Sequence, residues 1–255
     1  MLENLYASFI NLDHRTDRRA HMERELTKSA ILKAVRTRGT PWQEAQADPA
    51  KVAVMLNRTP GAIGCHFSQV AVMKEGQRQG KNALVMEDDI IFCEDIDKRL
   101  TYIDKWTETH EWDVIWLGAS FHAPVPYWHK KGESGMPPDC SAQLGYDVQV
   151  TDDPRMIRTF GAYVTFAYIV NLNSMDKIFA LFEEHLHTSI GIDWLFIKLQ
   201  PQLKCFSFVP GCVMQGDWMS DIGNGMTVWS GQLNNGPYVW KNKMEEFEPT
   251  TFTWN

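Results

Sequence analysis

Ala83-Leu-Val-Met-Glu-Asp-Asp-Ile-Ile-Phe92 is the stretch on which the fold reading turns. Four apolar residues, Ala83 to Met86, run into three acids, Glu87, Asp88 and Asp89, and the apolar character resumes at Ile90. A strand covered on both faces reads as a continuous apolar run. In an open α/β sheet, the carboxyl ends of the strands border the crevice where ligands bind. Adjacent carboxylates repel one another and burial adds a desolvation cost, so such a cluster calls for a cation. Alternation along a strand puts Glu87 and Asp89 on one side and Asp88 on the other. Glu87 and Asp89 are therefore the expected ligands of one Mn²⁺ or Mg²⁺, with a phosphate completing its shell. A solvated acidic loop is the competing reading.

Working outward, Leu5 to Ile10 reads as a first buried strand that ends at Asn11-Leu12-Asp13. A polar, arginine-rich helix follows from Thr16 to about Lys28, with Asp17 in its first turn. Ile31 to Val35 is expected as a second strand, and Gly39 to Asn57 as a loop. Thr59 followed by Pro60 marks a helix start, and Gly61 and Gly64 leave that helix room to approach another backbone or a ligand. Beyond the acids come a helix over Ile96 to Trp106, a strand over Trp112 to Gly118 and a Pro-, Gly- and His-rich excursion from Ser120 to Thr159. A strand over Ala162 to Val170 precedes a helix from Ser174 to Leu186 with Asn173 as cap. A helix from Ile192 and a strand over Cys205 to Val209 complete the pattern. Strands alternating with helices imply an α/β fold, a mostly parallel sheet with helices on both faces. One domain over 1–255 is expected, with its core at about 5–222 and an irregular segment at 223–255.

A net charge of −7 without a basic block argues against nucleic acid as a partner. The five cysteines are odd in number and lack paired metal spacing, so reduced thiols in a cytoplasmic setting are expected. The chain starts Met-Leu-Glu-Asn and reaches a strand at once, which leaves no room for a signal peptide. No apolar stretch approaches the roughly 20 residues that span a bilayer, leaving only peripheral membrane contact. Ten tryptophans suit either sugar faces or core anchors. His185 and His187 are two apart, which faces them away from each other on a helix.

Several segments together resemble glycosyltransferase family 25, which includes lipooligosaccharide and procollagen galactosyltransferases. Ile10-Asn-Leu-Asp-His-Arg15 with Asp17-Arg18-Arg19 is similar to the family's first strand and turn, and Gly61-Ala-Ile-Gly-Cys65-His-Phe-Ser68 to its Gly-Cys-x-x-Ser helix. Leu84 to Asp89 resembles its acidic motif, and Trp112 to Gly118 its next strand. Ile192-Asp193, then Gln215 and Ser220-Asp221-Ile222, match in type and order. Three places depart from the family pattern. Gln69 follows the serine where His is usual, Arg38 precedes Gly39 where an acid is more familiar, and Val164-Thr165-Phe166-Ala167-Tyr168 lacks the leading Gly and, at Phe166, the following polar residue of Gly-Thr-x-x-Tyr.

The resemblance implies a GT-A-like domain that takes a UDP-sugar donor, inverts at the anomeric carbon, and glycosylates a glycan, lipid-linked glycan or protein. Galactose leads as the sugar, glucose next. It implies Asp89 as metal ligand with Glu87 as partner, and Asp88 at the ribose or donor sugar. Asn11 and Leu12 are expected to border uracil and ribose. Arg15 and Arg18 either meet a phosphate or the base, or form a solvated helix face with Asp17 or Glu23. Ser68 either bonds the donor or satisfies its own helix backbone. Asp193 is the candidate general base, with an ordinary helix-cap role as its alternative. Gln215 and Ser220 close the site from the carboxyl-terminal side and Asp221 completes the metal shell, unless plain turn chemistry explains them. Two rivals stand beside this reading. One is a non-catalytic sugar- or nucleotide-binding homologue. The other is a nucleotidyl- or phosphotransferase, against which stands the lack of a Gly-x-x-x-x-Gly-Lys loop.

Overall fold

The computed structural model describes residues 1–48, 59–121, 148–186, 191–216, 218 and 221. Most of the Pro- and Gly-rich excursion, Ser220, His187 and the 223–255 segment lie outside the described residues. In chain order the elements begin with β1 (Leu5–Asn11), α1 (Thr16–Leu26), β2 (Ala34–Arg38), α2 (Trp42–Ala47), α3 (Pro60–Arg78) and β3 (Asn82–Glu87). Then follow β4 (Ile90–Phe92), α4 (Ile96–Thr107), β5 (Val114–Trp116), β6 (Ser120–Phe121), β7 (Val148–Val150), β8 (Met156–Thr159) and β9 (Ala162–Tyr163). The last are β10 (Ala167–Val170), α5 (Met175–His185), α6 (Ile192–Leu199), β11 (Cys205–Phe208) and β12 (Val213–Gln215).

An eight-stranded sheet runs in the order β2-β1-β3-β10-β5-β11-β8-β7. Only β10 and β8 run against the common direction, so the sheet is mixed but mostly parallel. Strand β3 lies near its middle and alternates between two cores. Leu84 and Met86 join Phe9 with Met22 of α1 and Leu100 of α4 on one face. Ala83 and Val85 join Val72 of α3, Ile178 of α5 and Leu195 of α6 on the other. This double coverage is why the strand reads as a continuous apolar run.

The register places the ends of the first three strands side by side, Ile10 opposite Glu87 and Asn11 opposite Arg38. Helix α3 starts as its sequence requires, with the Thr59 hydroxyl accepting from the Ala62 amide at 3.2 Å and Pro60 in the first turn. A side chain at Gly64 would put its Cβ 2.4 Å from the Thr40 carbonyl oxygen, so α3 packs directly on the loop that leaves β2.

Several sequence expectations are displaced. The second strand is Ala34–Arg38 rather than Ile31 to Val35, because it is an edge strand. Ile31 and Val35 are 38% and 51% exposed, whereas Leu32 enters the core from the preceding loop. Ile90 to Phe92 does not continue β3; it pairs antiparallel with β12 in a separate ribbon. The expected strand from Ala162 to Val170 breaks at Val164, whose φ is +66°. The Ser120 to Thr159 stretch holds β6, β7 and β8. Asn171, not Asn173, supplies the capping oxygen of the turn before α5, accepting from the Asn173 amide at 3.0 Å.

Candidate active site

At the shared carboxyl edge of β1, β2 and β3 lies a cavity of about 460 Å³. Its floor is the acidic turn. Strand β3 ends at Glu87, and Asp88 and Asp89 form a turn, so strand alternation does not dispose the three acids; each is placed by its own hydrogen bonds.

Glu87 donates its amide to the Phe166 carbonyl at 2.8 Å, and its carboxylate accepts from Gln69 Nε2 at 2.9 Å. Asp88 accepts from Asn11 Nδ2 at 2.7 Å and from Arg18 Nη1 at 2.9 Å. Asp89 accepts from Gln215 Nε2 at 3.1 Å, and its carbonyl is bound by the Gly216 amide at 2.6 Å. The other Asp89 oxygen, Oδ1, is buried and has no hydrogen-bond partner among the described residues.

These environments shift the acids. Withdrawal from water, then the charges of Asp89, Asp88 and Asp193, raise the Glu87 pKa well above the ordinary carboxylate range. Burial also raises that of Asp89, opposed by Arg18 and Gln215. Cys65, 3.8 Å from Glu87, has its thiol pushed up by burial, then by the charges of Glu87 and Asp193, which favours the neutral thiol.

The named site candidates separate by position. Leu12, Arg18, Ser68, Glu87, Asp88, Asp89, Gln215 and Asp221 line the cavity. Asn11 does not; its amide is consumed by Asp88, the Arg15 carbonyl and Arg36 Nε. Arg15 pairs with Asp17 at 2.9 Å and with Asp221. Arg18 is not on a solvated helix face: it is 6% exposed and turned toward the acids, while Arg19 takes Glu23. Ser68 spends its hydroxyl on the Gly64 carbonyl at 2.6 Å and the Thr40 amide at 2.8 Å, pinning the loop that forms one wall. Asp193 stands at the start of α6, half-buried, with Oδ1 accepting from the Trp194 amide at 2.9 Å. It is outside the cavity lining, yet near enough to raise the pKa of both Glu87 and Cys65.

Other contributors were not among the named site candidates. Gln69 is fully buried and ties Glu87 to Thr165 Oγ1 at 3.1 Å and to the Tyr168 hydroxyl at 2.8 Å. The Val164 kink delivers Thr165 and Phe166 to these contacts. Pro41 and Trp42 also line the cavity, with Trp42 48% exposed. Trp218 closes the other side against His21, ring centroids 5.3 Å apart.

The donor set is one of hard carboxylate oxygens, suited to Mg²⁺ or Mn²⁺. The unpartnered Asp89 Oδ1 and the raised Glu87 are features a cation would relieve, so these residues fit such an ion. Among the described residues, no three His, Cys, Asp or Glu side chains already converge as a metal shell. Nor does any helix among them have the length and apolarity to cross a membrane.

No curated protein matches the chain closely enough to serve as a relative. The family description "glycosyltransferase family 25 (LPS biosynthesis protein)" does match, over residues 6–193, which contain the three parallel strands, the acidic turn and the start of α6. A mostly parallel α/β sheet with its acidic turn at the carboxyl edge is a GT-A-like arrangement. The match covers well over half of the 255 residues, and the chain belongs to glycosyltransferase family 25.

Proposed function

We propose that the protein transfers a hexose, galactose before glucose, from a UDP-sugar to a hydroxyl of a glycan or protein, with inversion at the anomeric carbon. The observation carrying this reading is the acidic turn on the floor of a cavity at the ends of β1, β2 and β3, in a family 25 chain. Leu12, Pro41 and Trp42 line the cavity and suit the nucleoside; Arg18, which also lines it, and Arg15, paired with Asp221, would meet the diphosphate. Asp88, held by Asn11, faces the ribose or donor sugar. Glu87 and Asp89, with Asp221 at the rim, would hold Mn²⁺ or Mg²⁺. When bound, that ion supplies Lewis-acid neutralisation of the charge that develops on the departing diphosphate.

Asp193 accepts the proton of the acceptor hydroxyl as its oxygen bonds to the anomeric carbon and the bond from that carbon to the diphosphate oxygen breaks. UDP leaves with the electron pair of that bond. The four described cysteines are free thiols, in keeping with a reaction on the cytoplasmic side, where a lipid-linked acceptor would be reached at the membrane surface.

The test is product release from a panel of nucleotide sugars, with and without Mn²⁺, by wild type and Asp89→Ala. Metal-dependent release of UDP by the wild type alone is expected. Binding without turnover across donors and acceptors would favour a non-catalytic homologue, and release of monophosphate or pyrophosphate would point to phosphate chemistry instead.

A further inference from the structure

Arg18 projects from the first turn of α1 into the acidic floor and is 6% exposed. Its Nη1 lies 2.9 Å from Asp88 Oδ1, 3.6 Å from Asp89 Oδ2 and 3.8 Å from Asp221 Oδ2. One guanidinium therefore faces three carboxylates drawn from two distant parts of the chain. A buried positive charge persists only against negative charge, and here the carboxylates supply it without any ion and remain in excess. Asp89 nevertheless keeps Oδ1 without a hydrogen-bond partner among the described residues. The guanidinium offsets part of the charge of the turn and leaves an oxygen over. Guanidinium groups also bind phosphate through paired N–H donors at least as well as they bind carboxylate.

We infer that Arg18 is a built-in cation that stands in for the metal in the free site and fixes the order of loading, nucleotide first and metal second. The inference rests on the nucleotide-sugar reading above. A divalent ion arriving alone meets carboxylates already partly screened and is opposed by the guanidinium among them. A nucleoside diphosphate meets a positive charge in place and binds without metal. Once Arg18 shares its charge with the phosphates, Asp88 and Asp89 regain negative potential, and the spare Asp89 oxygen is ready for the ion. Arg18 thus acts as a positioning residue for the metal and as a contact of the diphosphate.

The experiment measures UDP affinity calorimetrically in EDTA and in Mn²⁺, and affinity for Mn²⁺ alone by electron paramagnetic resonance, on the full chain. Wild type, Arg18→Gln and Arg18→Lys are compared. Wild type is expected to bind UDP in EDTA, and Arg18→Gln to lose about tenfold or more of that affinity while binding Mn²⁺ alone about tenfold more tightly. Arg18→Lys keeps the charge and stays near wild type for Mn²⁺ alone. A merely structural role would weaken both ligands together in Arg18→Gln, and that result overturns the inference. Should Arg18→Gln not fold, the wild type decides: UDP bound in Mn²⁺ but not in EDTA overturns the ordered loading and leaves the transferase reading standing. No UDP binding under either condition overturns both.

Discussion

Gln69 Nε2 donates to Glu87 Oε1 across 2.9 Å, and the carbonyl end of the same amide accepts from the Tyr168 hydroxyl at 2.8 Å. A fully buried glutamine thus joins helix α3, strand β10 and the first acid of the turn in one chain of hydrogen bonds. Gln69→Leu leaves Tyr168 and Glu87 without this partner. A loss of about 1–3 kcal/mol in unfolding free energy is expected from the stranded polar groups. Gln69→His, which keeps an N–H donor, should lose less, and urea titrations of the three proteins measure the difference.

Glu87 makes the metal-free protein sensitive to pH. Its folded-state pKa lies above the unfolded value of 4.5, so the folded state holds the extra proton as pH climbs from that value. Stability must then fall with rising pH, by at most about 1.4 kcal/mol per pH unit within the window. Glu87→Gln cannot ionise. In EDTA its melting temperature should fall less between pH 5 and 8 than that of wild type, and parallel curves would refute the assignment.

Trp42 lines the cavity while remaining 48% exposed. Its removal should therefore affect ligand more than fold. Trp42→Ala is expected to weaken UDP binding by about 1–3 kcal/mol if the base stacks there. The unfolding free energy should move by no more than about 0.5 kcal/mol. Calorimetric titration beside a denaturation curve separates the two effects.

Val164 holds a φ of +66°, a left-handed conformation costly for a β-branched side chain. Glycine adopts it freely, at the price of more unfolded-state entropy and some lost packing. Val164→Gly is expected to leave stability unchanged or to raise it by up to about 1 kcal/mol. Val164→Ala keeps the strain, loses packing and should be less stable than either.

What could be read from the chain follows physical range. The buried β3 run and its acids are local, so their place at a sheet's carboxyl edge was legible, as was the Thr59-Pro60 helix start. Partnerships across the fold were not. Asn11 looked like a ligand contact, but Arg36 and Asp88, 25 and 77 residues away, take up its amide. Arg18 stayed open between a ligand contact and a solvated helix face, because the Asp88 carboxylate that draws it inward lies 70 positions further on. The resumed apolar run at Ile90 concealed a turn, since its partner strand begins only at Val213. Strand β2 likewise begins after Ile31 and Leu32, the most apolar residues of the expected strand, because it lies at a sheet edge.

Gln215 reaches Asp89 from 126 residues further along the chain, beyond the last residue of the family match. During synthesis the acidic turn emerges long before the amide that steadies it. Contacts of such separation form late, after the closure of a large loop. The segment that finishes the floor of the cavity is made after nearly everything beneath it, so the scaffold of the nascent chain precedes the closing of its candidate site.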